Sequence, residues 1–187
     1  MNFKGLRMQI IILIFLLSLS LLLGGQWVYQ KNHVQGNLVE KLNNIDGVYS
    51  SSIEKNNRQN SLIKIHLEEV EDLRHVYRQA VSTAADHLRT EAFSIEIVDR
   101  PNQVLISIWE TTHLSIYQSL AQFSYDEIGG KISTEAQKHD RIKYRVQMDW
   151  DHVYLQLHDE GNYLYQIIPR LPLNQPDIDL AQRGEKK

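Results

Sequence analysis

The chain has 187 residues, 42% of them hydrophobic and 23% charged, with a net charge of -3 and no cysteine. That balance is globular and excludes wholesale disorder, and the missing cysteine excludes disulfides, thiolate nucleophiles, cysteine-based zinc sites and a lipid-modified cysteine. Lys4 and Arg7 are two of the 20 basic residues, so the chain beyond them carries 18 against 23 acidic ones; this acidic body argues against nucleic acid as a partner, because phosphate binding needs an excess of Lys and Arg.

Residues Met8 to Gly25 contain no charge. With Trp27 and Tyr29 the run reaches about 22 residues, enough for a hydrocarbon core of roughly 30 Å at 1.5 Å per residue. Ile10, Leu16 and Leu22 are the expected lipid contacts, and Trp27 and Tyr29 suit the membrane–water boundary. Lys4 and Arg7 outnumber Lys31, which places the N-terminus in the cytoplasm and the bulk of the chain outside it. The rival is a cleaved signal peptide, giving a secreted protein. Ser18 and Ser20 lie inside the apolar core, however, and Leu23-Gly24-Gly25 puts leucine where a small residue is wanted. A retained signal-anchor is the expectation.

Val34, Leu38, Leu42 and Ile45 form one stripe of a short helix within 31–47, read as juxtamembrane. A hairpin follows: "VYSSSIEKNN" and "SLIKIHLEE", the latter alternating Ile63, Ile65 and Leu67 with polar residues. The clearest helix is "DLRHVYRQAVSTAADHL", with a continuous stripe from Leu73 through Val76, Tyr77, Ala80, Val81 and Ala84 to Leu88, and Asp72 as its cap. "FSIEIVDRPNQVLISIW" reads as a second hairpin, turning at Asp99–Asn102 before Val104, Ile106 and Ile108 resume alternation. A helix over about 111–123 should bury Leu114, Tyr117, Leu120 and Ala121, and Gly129-Gly130 should stop it. "RIKYRVQM", "VYLQLH" and "YLYQIIP" read as a terminal meander of three strands, and three prolines from Pro169 onward end regular structure.

The expected fold is α+β: an N-terminal transmembrane helix, then a largely antiparallel sheet with helices on one face, in the order α-ββα-ββα-βββ. In domains, 1–30 is a cytoplasmic stub and anchor, 31–47 the short helix, 48–168 the extracytoplasmic α+β domain and 169–187 a flexible tail. Within the domain, a common offset of 41 residues between Ile63/Leu73 and Val104/Leu114 suggests duplicated ββα units, 48–90 and 93–123, ahead of the meander 141–168. The order α-ββα-β over 34–99 is shared by small ring-building and outer-envelope domains, a likeness of topology without a motif.

Chemistry is sparse. No nucleophile elbow, phosphate-binding glycine loop or His-Glu-x-x-His helix is present, and no catalytic residue, cofactor or metal is expected. The weak metal candidates are Asp149, Asp151 and His152, which gather oxygens and a nitrogen at one turn of the meander. His158, Asp159 and Glu160 belong to the next turn, about 20 Å away at the far end of the strand. Trp109, Trp150, Tyr163 and Tyr165 are weak partner-binding candidates, with Tyr163 and Tyr165 on one sheet face and Leu164 on the other.

The reading is a non-enzymatic, single-pass membrane-anchored binding or assembly protein. It contacts membrane lipid through residues 8–29 and a protein partner or itself through the domain. A ligand-sensing or solute-binding module would instead present an apolar pocket. An envelope hydrolase would present clustered carboxylates with shifted pKa values in a cleft.

Overall fold

The computed structural model describes residues 14–20, 36–55, 60–88 and 92–170. Residues 14–20 are helical (α1). Beyond them come α2 (Gly36–Asn43), β1 (Val48–Lys55), β2 (Ser61–Leu67), α3 (Leu73–Leu88), β3 (Phe93–Val98), α4 (Gln103–Ala121), α5 (Tyr125–Ala136), β4 (Lys143–Met148), β5 (His152–Asp159) and β6 (Asn162–Pro169). Among the described residues no helix is long and apolar enough to cross a membrane. Most of the expected span 8–29, including Ile10, Leu22, Trp27 and Tyr29, lies outside them, as do Val34 and the tail from 171. Leu16 falls in α1 and is exposed.

The fold is α+β, with two three-stranded sheets where one was expected: β1-β2-β3 and β4-β5-β6. Among the described residues an isolated bridge, Arg100 to Tyr163, stands between them. The first sheet is also not wholly antiparallel. β1 and β2 form the expected hairpin, but β2 and β3 run parallel, because the 16 residues of α3 carry the chain back across the sheet before β3 begins.

The second hairpin does not form. Gln103–Ala121 is one helix of 19 residues, so the order after α3 is β-αα-βββ and the proposed second ββα unit is only βα. The run "QVLISI" is apolar almost without a break, and such runs fit either period. Asn102 decides it: its side chain accepts from the Leu105 amide at 3.0 Å, so the Pro-Asn pair opens a helix and not a hairpin turn. The buried stripe is Leu105, Ile108, Thr112, Ile116, Ser119 and Leu120, which turns Leu114 and Tyr117 outward, against expectation. Gly129-Gly130 does not stop a helix either. α4 ends at Ala121, with Phe123 just beyond it at φ +57°, and the glycine pair lies inside α5, held by the buried Ile128, Ile132 and Ala136. Burial of that stripe outweighs the roughly 1 kcal/mol that each helical glycine costs.

Two apolar clusters share the second sheet. In one, Leu38 and Leu42 of α2, Ile63, Ile65 and Leu67 of β2 and the whole predicted stripe of α3 meet Tyr154, Tyr163 and Tyr165. In the other, α4 and α5 cover Val153, Leu155, Leu157, Leu164 and Ile168. Helices therefore lie on both sides of β4-β5-β6 and not on one face. This explains why β5 is buried along nearly its whole length, as expected of a strand covered on both faces. The short helix expected at 31–47 is part of the domain, since Leu38 and Leu42 are fully buried in its core.

Candidate functional site

Of the residues singled out in the sequence, the Asp149 group is the most tightly organised. The Asp149 carboxylate accepts from the amides of Asp151 at 2.9 Å and His152 at 2.8 Å, a side-chain turn that shapes the β4–β5 connection. Its other oxygen takes the Tyr154 hydroxyl at 2.8 Å and Arg78 at 3.0 Å. Burial pushes this carboxyl up, but the four donors together outweigh burial and hold it below the ordinary carboxylate range. His152 packs edge-on against Tyr77, ring centroids 5.5 Å apart. Asp149 and His152 are brought together, yet both Asp149 oxygens are engaged by protein donors. Among the described residues no group of three His, Cys, Asp or Glu is placed to hold a metal ion.

The aromatic candidates part company. Tyr163 and Tyr165 do share a face, stacked at 5.2 Å, with Leu164 in the other cluster. Both are buried, and their hydroxyls donate to the carbonyls of Leu67 at 2.8 Å and Glu68 at 3.2 Å. Tyr165 also accepts from the Val70 amide at 2.8 Å. Burial pushes the Tyr165 phenol well above its ordinary value, so it remains a donor. Trp109 is half-buried beside His113, and Trp150 is 86% exposed on the β4–β5 turn.

The tyrosine clamp on residues 67–70 creates what spacing alone does not reveal. Two clefts open on either side of that loop, and Glu69 lines both. One, of about 580 Å³, lies between the loop and β4 and holds Lys143, Arg145 and His158. His158 Nδ1 is 2.9 Å from Glu69, and Arg145 donates to the Glu71 carbonyl. The other, of about 530 Å³, lies at the end of the first sheet, where Tyr49, His66 and Asp99 meet the β5–β6 turn at Gly161.

Local structure aims Tyr49 into this second cleft. Gly47 has φ +84°, and a Cβ there would collide with Val70, so only glycine fits the approach to β1. The register then slips between Val48 and Ser50, and Tyr49, the extra residue of that bulge, is 72% exposed. Across the cleft, Asp99 accepts from the Tyr165 amide at 2.7 Å. Burial pushes the Asp99 carboxyl above the ordinary carboxylate range, and the amides of Tyr165 and of Asp99 itself offset only part of that. Arg100, in the same cleft, donates to the Gly161 carbonyl and lies 5.6 Å from the Tyr163 ring centroid.

No protein-family model, curated protein or solved structure matches the chain.

The sequence alone does not single out Tyr49, and it presents Asp99 as an ordinary turn residue. The available signal was a glycine two residues ahead of an aromatic at a strand start, which marks an irregular entry. Nothing in the spacing joins positions 49, 99 and 161.

Proposed function

We propose that the chain is a single-pass membrane-anchored, extracytoplasmic binding protein without catalytic activity, serving as an accessory factor or subunit of an envelope assembly. The observation that carries the anchor is the state of α1. Ile14, Phe15, Leu16, Leu17 and Leu19 are all exposed within seven helical residues, and a helix apolar all round calls for cover by lipid or protein. Lipid is favoured because the uncharged run extends from Met8 to Gly25 behind Lys4 and Arg7.

A binding role is supported by the cleft between Tyr49 and Asp99. A carboxyl of raised pKa in a cleft is also what a hydrolase would present. That reading needs a second desolvated carboxylate in reach, whereas Glu68 and Glu69, which share the cleft, are both exposed.

Because the chain has no cysteine, one placed at the exposed Ser52 (Ser52→Cys) reports its location. A membrane-impermeant maleimide should label it in intact cells, and the labelled chain should resist carbonate extraction and retain Met8–Lys31 by mass. Labelling only after lysis, or a soluble species beginning near Gln26, would remove the anchored reading.

A further inference from the structure

Along the second cleft three carboxylates, Asp99, Glu68 and Glu69, face a single guanidinium, that of Arg100, with His66 at the rim. Glu69 is held by His158, and Arg100 by Gly161 and the Tyr163 ring. Among the described residues, the donors to Asp99 are backbone amides. Each carboxylate oxygen carries two lone pairs, so acceptor capacity remains, and among the described residues no cationic side chain pairs with it. The exposed ring of Tyr49 stands in the same cleft. A half-buried carboxylate without a counter-ion beside an open aromatic face is the combination that recognises an organic cation. The oxygen takes the N–H, and the ring quadrupole attracts the charge. A divalent metal is a poor fit, because among the described residues no group of three His, Cys, Asp or Glu is placed to hold one.

We propose that this cleft binds an ammonium or guanidinium group, with Asp99 as the counter-ion and Tyr49 as the ring contact. The assignment deepens the binding role argued above and makes no use of the anchor. Such a group can come from a free amine or from a Lys or Arg side chain on a protein partner.

The test is isothermal titration of the full-length chain in neutral detergent micelles and amine-free buffer. The probes are spermidine, the capped peptide Gly-Lys-Gly and, as the anionic control, butyrate. Saturable uptake of the cations in the roughly millimolar range is expected, with none for butyrate. Asp99→Asn keeps an acceptor for the Tyr165 amide and should weaken uptake about tenfold. Tyr49→Ala removes an exposed ring, leaves the core untouched and should weaken uptake about threefold. Glu110→Gln, on the exposed face of α4, should change nothing. Tighter binding of the peptide would point to a protein partner, and tighter binding of spermidine to a free amine. No saturable uptake by the parent, or uptake that Asp99→Asn and Tyr49→Ala leave unchanged, overturns the assignment. Cysteine labelling that contradicts the anchor bears on location alone, so the two failures are separable.

Discussion

Asp149 and Asp99 both sit partly buried beside a strand end, and their surroundings push them in opposite directions. Asp149 gathers two amides, a phenol and a guanidinium. Its pKa is depressed in the folded state, so the stability it contributes is full above the ordinary carboxylate range and is lost as the pH falls below it. Asp149→Ala leaves those donors without their acceptor and should cost about 2 kcal/mol at neutral pH. Urea unfolding should show the gap from the parent narrowing in acid. Asp99 is the reverse case. Burial raises its folded pKa, so its contribution is most favourable below the ordinary range and is lost as the pH rises through the raised value. Asp99→Asn should therefore raise the melting temperature near pH 7, with the advantage disappearing as the pH falls towards 4. A residue that lowers stability at working pH while lining a cleft fits a binding role better than a structural one.

At the scale of elements, legibility followed the strength of the local period. The α3 stripe was readable in full, all seven positions being buried. β2 alternates as expected, with Ile63, Ile65 and Leu67 inward. α4 was misread over its first turns because Val104, Ile106 and Ile108 mimic a strand when Leu105 is overlooked, and Leu105 is the residue the helix buries first. In the sequence Gly129-Gly130 reads as punctuation, yet α5 runs straight through it. A Cβ at Gly129 or Gly130 would meet nothing within 4 Å beyond its own stretch of helix, so neither glycine is there for close packing. Gly130→Ala should consequently stabilise the domain by about 0.5–1 kcal/mol, measured as a shifted urea midpoint at constant m-value. The candidate site was far less legible than the elements. Tyr49, Asp99 and Gly161 belong to a strand bulge, a strand end and a distant turn, and only the meeting of two sheets brings them together.

For the whole molecule, the shared sheet β4-β5-β6 means that neither apolar cluster can open without exposing a face of the other's wall. The expected result is one cooperative unfolding transition, with the amides of β5 among the slowest to exchange with solvent. Exchange of α4 and α5 far ahead of α3, by a separate event of low free energy, would count against this coupling.

The tyrosine clamp also sets an order of assembly. Tyr165 reaches back 95 residues to Val70 and 97 to Glu68, and Tyr163 reaches 96 to Leu67. During synthesis, α2, β1, β2, α3 and β3 leave the ribosome long before the strand that closes their core. Loop closure over such distances slows folding, so a nascent chain halted before residue 163 holds an unfinished first cluster that lacks Tyr163 and Tyr165. Until β6 arrives, residues 67–70 lack their tyrosine anchors and the cleft of Tyr49 and Asp99 lacks the wall that Tyr163 supplies, so any partner that uses that cleft must wait for the last strand.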